Sequence, residues 1–219
     1  MSKERHDRSS FGIFIYEGVE PIDLGATFGV LSMARRVLPN IDMHIVAERA
    51  GVVTLASGLR VVADYGFDDC PPFDVLIVCG GPGWTEQAQS TAALAFLRRT
   101  EDDILASVCT GAMVLAAAGV LDDRTATTRR SAVGAEKAAP LDILRLRHPN
   151  VRTVEARVVD DGRIVTGGGV SLAIDATLHL LERLYGKDAV VEIASVIEYT
   201  AAWRANETAF GSPGTPSGS

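Results

Sequence analysis

Cysteine and histidine are scarce in this chain of 219 residues. There are three cysteines (Cys70, Cys79, Cys109) and four scattered histidines (His6, His44, His148, His179). An odd number of cysteines, spaced by nine and thirty residues, builds no disulfide framework and no zinc-ligand pattern. Free thiols point instead to a reducing, cytoplasmic location. Basic charge is also short. Twenty-one Lys and Arg face 28 Asp and Glu, for a net charge of -7. That excludes a general nucleic-acid binder, which needs a basic footprint; Arg129 and Arg130 form only a small local patch. No run approaches the ~18 continuous apolar residues of a membrane span. The polar opening "MSKERHDRSS" lacks the apolar stretch of an export signal.

What is present is ordinary for a globular domain: 47% hydrophobic and 22% charged residues. The apolar segments alternate between two lengths. "FGIFIY", "MHIVAE", "FDVLIVCGG" and "DILASV" are strand-length, and the last two read as strands covered on both faces. "LGATFGVLSMARRVL", "QSTAALAFLRRT", "TGAMVLAAAGV" and "SLAIDATLHLLERLYG" carry helical spacing. "VVTLASGLRVVAD" suggests a hairpin, and so does "VEARVVDDGRIVTGGG", where Asp161-Gly162 favours a tight turn. "RTATT" is a short strand. The stretch around Pro140 is helical in part, and "KDAVVEIASVIEY" reads as the last helix. The pattern predicts an α/β fold, a flavodoxin-like or Rossmann-like, mostly parallel sheet flanked by helices. One domain spans 11–210, between disordered tails at 1–10 and 211–219.

In such a sheet, ligands bind beyond the carboxyl ends of the strands. Two strand ends carry chemistry. "ASVCTG" places Cys109 where a strand turns into a helix. Unpaired first-turn amides and the helix dipole favour negative charge there, so a thiolate is expected to be stabilised. The Thr110 N–H is a candidate oxyanion donor, its hydroxyl a holder of water or substrate, and Gly111 suits the crowded turn. The competing reading is a cysteine packed in the core. "CGGPGW" offers backbone approach at Gly80 and Gly81, with the Gly81 N–H as a second oxyanion donor. Its glycine spacing is not a dinucleotide fingerprint. Trp84 reads equally as a cavity wall or a core cover. In the first loop, with Glu17 and Glu20, Asp23 either caps the following helix or turns its carboxyl to Cys109 and shares a proton with it. Arg129 and Arg130 reach the same edge of the sheet. No histidine lies at a promising strand end, which favours a reaction asking little of a general acid.

These residues, with "GVEPIDLGATFGVL", "FDVLIVCGGPG", "ASVCTGAMVLAAAGVLDDRTATT" and "DGRIVTGGGVSLAIDATLHLLERLYG", resemble the DJ-1/PfpI superfamily, relatives of class I glutamine amidotransferase domains. The resemblance covers Phe11 to Phe210 and is nearest the isonitrile hydratase branch. It implies Cys109 as the reactive residue, Asp23 as the acid, Thr110 as a contributor and Gly81 on the oxyanion side. It also implies a homodimer that adds water to a small isonitrile, without a cofactor or metal, to give an N-substituted formamide. The same domain fronts transcription regulators of the AraC type, whose helix-turn-helix part is not expected here. A ligand-sensing module and a thiol-based stress protein are the alternatives. Many relatives carry histidine after the paired threonines, where "TATTRRSAV" has Arg129. That departure suggests a different substrate, with an anion held by Arg129 as one form of it.

Overall fold

The computed structural model describes residues 8–100 and 104–211. Its centre is a six-stranded sheet in the order β2-β1-β5-β6-β10-β9. The strands are β1 (Ser9–Phe14), β2 (Ile41–Val46), β5 (Val75–Val78), β6 (Ile104–Ser107), β9 (Val158–Asp161) and β10 (Ile164–Gly167). The first four and β10 pair in parallel, and β9 alone runs antiparallel, joined to β10 by a two-residue turn, Gly162 and Arg163, one residue beyond the expected Asp161-Gly162. Counting only the parallel strands, the order is that of a flavodoxin-like sheet. β5 and β6 are buried at every position, as their unbroken apolar sequences require of central strands.

Two short pairs lie outside this sheet: β3 (Gly51–Thr54) with β4 (Arg60–Ala63), and β7 (Thr125–Ala126) with β8 (Arg152–Thr153). Helices cover both faces. On one side pack α1 (Pro21–Leu24), α2 (Val30–Ala34), α7 (Leu172–Tyr185) and α8 (Lys187–Val196). On the other are α3 (Trp84–Gln87), α4 (Thr91–Arg99), α5 (Gly111–Ala117) and α6 (Pro140–Arg147). α7 buries Ala173, Ala176, Thr177, Leu178, Leu180 and Leu181 at helical spacing. Each large apolar side chain so covered contributes roughly 1.5–3 kcal/mol. No helix among the described residues is long and apolar enough to cross a membrane.

Four details depart from the sequence expectations. β1 begins two residues before the expected domain start, with Ser9 and Ser10 paired to Ile41 and Asp42. At the other end, the Gly211 carbonyl accepts a bond from Arg157 Nε at 3.1 Å. The rest of the two expected tails, 1–7 and 212–219, lies outside the described residues. α8 is not the last helix, because α9 (Thr200–Phe210) follows it. Only Trp203 of α9 is buried, so apolar periodicity could not reveal it. A polar network docks it instead. Buried Arg157 pairs with buried Asp175 at 2.8 Å and with Glu207 at 3.1 Å, while Asn206 and Tyr199 both donate to Asp175 Oδ2 at 2.9 Å. Finally, the helix predicted from Leu24 onward is not uniform: the stretch Gly25–Gly29 widens to π geometry between α1 and α2. There Thr27 Oγ1 donates back to the Asp23 carbonyl at 2.9 Å, and Thr177 Oγ1 donates to the Ala26 carbonyl at 2.9 Å. Side-chain bonds of this kind loosen the regular backbone ladder.

Candidate active site

Three chain segments meet at the carboxyl end of the sheet. The segment after β1 brings Asp23, the one after β5 brings Gly80 and Gly81, and the one after β6 brings Cys109 and Thr110. Their close approach depends on missing side chains. A Cβ on Gly111 would sit 2.1 Å from the Val78 carbonyl oxygen, and one on Gly80 would sit 2.5 Å from the Thr110 nitrogen and 2.9 Å from Asp23 Oδ2. Glycine at both positions lets the start of α5 press against the end of β5.

Cys109 occupies the turn with φ +51°, a left-handed conformation that costs a non-glycine residue on the order of 1 kcal/mol or more. Two bonds hold it there. Its N–H donates to the Gly168 carbonyl at 3.1 Å, and its carbonyl accepts from Thr128 Oγ1 at 2.6 Å. This is the backbone of a nucleophile elbow. Cys109 is 4% exposed as a residue, yet it is not sealed in the core. It opens on a cavity of about 370 Å³ lined also by Glu20, Ile22, Gly81, Pro82, Trp84, Thr110, Arg129, Val133, Glu136 and Val170. Trp84 is therefore a wall of the cavity while also packing against the core.

Asp23 is fully buried within the first turn of α1, so it is not the cap that precedes the helix; that position belongs to Glu20. Its Oδ2 accepts the Gly80 N–H at 3.0 Å, whereas Oδ1 is buried without a hydrogen-bond partner. Burial pushes the carboxyl up to about 7, and the neighbouring Glu20 adds to the rise. The Gly80 N–H, the facing Cys109 thiol and Arg129 offset only part of it. Asp23 thus exchanges its proton near neutrality.

The thiol departs from the expectation of a stabilised thiolate. Burial, and then the charge of Asp23, push Cys109 up to about 12. The amide N–H groups of Val170 and Thr110 and the Arg129 guanidinium face the sulfur and pull the other way, without winning. When the pair carries one negative charge, that charge rests on Asp23 rather than on sulfur. Cys79 is a buried structural thiol near Thr27, 3.7 Å from its hydroxyl, and burial raises it strongly too.

The hydrogen bonding reassigns several expected roles. The Gly81 N–H is already donated to Thr110 Oγ1 at 2.8 Å, and the Thr110 hydroxyl donates back to the Gly81 carbonyl at 3.3 Å. Without a ligand these two groups, expected as an oxyanion donor and a substrate holder, are engaged with each other and clamp the two strand ends. The donors that face the sulfur are the amides of Thr110 and Val170. Val170 escaped the sequence reading because nothing in "GGGVS" marks a β-branched residue as holding φ +57°. Arg129 does reach Cys109, but it also binds Glu136 Oε1 at 2.5 Å and the Ser131 carbonyl. Glu136 and Val133 were missed because they sit in an irregular stretch expected to be partly helical. Arg130 turns elsewhere, to Glu155 at 2.7 Å and over the Phe210 ring. No described histidine lines the cavity. His44 stacks on Phe73, His179 binds Asp160 at 2.7 Å, and His148 closes α6. His6 lies outside the described residues. Among the described residues no three His, Cys, Asp or Glu side chains gather to hold a metal ion.

A flavodoxin-like sheet with a strained cysteine elbow and a buried acid beside it defines a class: α/β domains that carry a cysteine at a strand-to-helix turn. The chain belongs to the DJ-1/PfpI family, whose profile matches residues 10–183. It is 33% identical over 195 residues to the isonitrile hydratase of Pseudomonas putida, an alignment covering 87% of this chain and 78% of that protein. It is 26% identical to the HTH-type transcriptional regulator GbdR of Pseudomonas aeruginosa, covering 90% of this chain but 52% of the regulator. Among solved structures, a THiJ/PfpI family protein from Pseudomonas syringae superposes with a TM-score of 0.73 at 24% identity, covering 93% of this chain and 88% of that one.

Proposed function

We propose that this protein is a cysteine-dependent hydratase that converts a small isonitrile to an N-substituted formamide. One observation carries the reading: a carboxyl that exchanges its proton near neutrality faces a thiol on the floor of a cavity walled by Ile22, Pro82, Trp84, Val133 and Val170. An isonitrile carbon both accepts a proton and is attacked by a nucleophile, so an acid and a thiol side by side match its needs. In the proposed course, Cys109 sulfur bonds to the terminal carbon while that carbon takes a proton through Asp23. The product is a thioimidate, R–N=CH–S–Cys109, and the pair has given up the thiol proton. Water then adds to the C=N bond, its oxygen bonding to carbon and its proton going to nitrogen. Collapse expels the sulfur, which regains a proton through Asp23, and leaves R–NH–CHO. The Thr110 and Val170 amides and Arg129 stabilise the sulfur when it leaves as an anion. No histidine is required at any step.

The resemblance to the hydratase of P. putida supports this reading, and the match to a regulator supports a second one, a module that binds the ligand without turnover. A homodimer in the cytoplasm belongs to the same proposal. The test is a panel of isonitriles, methylglyoxal and simple amides, given to wild type and to Cys109→Ala, with products identified by NMR. Formamide from isonitriles with the wild type alone is expected. Ligand binding without formamide would favour the sensing module, and turnover of methylglyoxal alone would favour a carbonyl-handling enzyme.

A further inference from the structure

The cavity over Cys109 holds more acid than base. Glu20 and Glu136 both line it, and Arg129 is the one basic side chain among its described lining residues. Arg129 is already shared among acceptors of this chain, and it also faces the Cys109 sulfur. Its NH2 group donates to Glu136 Oε1 at 2.5 Å, and its NH1 group donates to the Ser131 carbonyl. Glu136 is itself held in place, with Oε2 accepting the Val133 N–H at 2.9 Å. A guanidinium and a carboxylate in contact cancel most of each other's field at a distance. What remains is Glu20 in the wall and the Asp23–Cys109 pair on the floor, which Arg129 offsets only in part.

The rest of the wall is apolar or aromatic: Ile22, Pro82, Trp84, Val133 and Val170. A carboxylate entering this space would shed water and have to share Arg129 with Glu136 and the Cys109 sulfur, against the net negative charge of the lining. An ammonium group would find Glu20, with Trp84 in the same lining. A neutral group would lose little either way. We infer that the cavity selects by charge, admitting neutral and ammonium-bearing molecules and turning away carboxylates, with Glu20 and Glu136 setting the preference. Glu136 acts by occupying Arg129, and Glu20 acts directly. For the isonitrile substrate the inference rests on the proposed hydratase reading, but the field at Cys109 exists whatever the chemistry.

Cys109 itself is the probe. In a Cys70→Ser background, the protein is treated separately with the cationic aminoethyl and the anionic sulfonatoethyl methanethiosulfonates. In each case the thiolate attacks the sulfenyl sulfur, a disulfide forms and methanesulfinate leaves. Mass spectrometry reads the rate at Cys109, and each rate is divided by that of 2-mercaptoethanol. The expected cation-to-anion ratio is roughly tenfold or more above the small-thiol reference. Glu136→Gln and Glu20→Gln should each lower it several-fold, while Glu136→Asp, which keeps the charge, should retain it. A ratio at or below the reference, or one untouched by both Gln variants, overturns the inference. A second arm compares hydration of isonitriles matched in size but ending in an ammonium or a carboxylate; equal efficiency also overturns it. If no isonitrile is hydrated at all, the hydratase reading fails while the modification ratio still decides the charge preference.

Discussion

Replacing Asp23 with asparagine separates two effects that the wild type combines. The substitution keeps the shape and leaves an oxygen to accept the Gly80 N–H, now at 3.0 Å from Oδ2. It removes a negative charge beside Cys109, the second-largest cause of the thiol's rise to about 12. Two unit charges about 4 Å apart at an effective dielectric near 20 interact by about 4 kcal/mol. That corresponds to about three pKa units. Arg129 and two amides already offset part of it, so a fall of at least about one unit is expected. Each unit raises the thiolate fraction, and with it the alkylation rate, by about tenfold at fixed pH. The difference should open only above pH 7, because Asp23 is protonated below that in the wild type. Under the proposed hydratase reading, isonitrile turnover should move the opposite way, dropping by about 10²–10⁴-fold with the loss of the proton carrier. Stability supplies a third reading. The carboxyl is raised from its ordinary 3.8 to about 7, so its contribution is fully present below pH 3.8 and is lost as pH rises through 7. At pH 8 the wild type therefore bears a cost of up to about 4 kcal/mol that the variant lacks. The variant should melt several degrees higher at pH 8, with the gap narrowing towards pH 4. The assays are iodoacetamide alkylation from pH 5 to 9, formamide formation and thermal melts across the same range. Identical alkylation profiles in wild type and Asp23→Asn above pH 7 would refute the assigned coupling.

Three further outcomes test other parts of the structure. Arg129→Met removes a cation that draws the Cys109 thiol downward, so alkylation at pH 8 should slow by several-fold; an unchanged rate would remove Arg129 from the site's electrostatics. Asp175→Asn leaves Arg157 buried without its main counter-charge and should cost about 3–5 kcal/mol in urea denaturation, with α9 opening to limited proteolysis. Gly111→Ala drives a Cβ to 2.1 Å from the Val78 carbonyl oxygen and should destabilise by about 1–3 kcal/mol or more; an unchanged denaturation midpoint would mean the two segments part more easily than their packing implies.

The sheet was readable in the sequence because it is built from uninterrupted apolar runs. "VLIV" and "ILAS" have no exposed position, and only a strand covered on both faces tolerates that. Where a segment is held by polar contacts the same logic fails. α9 carries a single buried residue, and its docking depends on Arg157 and Asp175, separated from it by tens of residues. The π turn after Asp23 was equally hidden, since it arises from hydroxyls on Thr27 and Thr177 that only the folded chain aims at the backbone. Periodicity reports which face meets the core; it says nothing of a helix secured by charge.

The site shows the same division at shorter range. Position was legible: Asp23, Gly80, Gly81, Cys109, Thr110 and Arg129 were all expected at the carboxyl edge, because strand ends in a parallel sheet converge there. Electrostatics was not. A cysteine at a helix start should be acidic by the dipole argument, yet this one is raised. The dipole contributes through a few amides at the mouth of a seven-residue helix, whereas desolvation acts on the whole sulfur and Asp23 adds a charge in contact. When burial and a like charge oppose a helix terminus, the terminus loses. The consequence is chemical. A thiol that keeps its proton at rest must pass it on, to Asp23 or to the substrate, as it attacks. Under the proposed hydratase reading, substrates that accept a proton at the atom under attack are therefore favoured over those that merely present an electrophile, and an isonitrile carbon is such an atom.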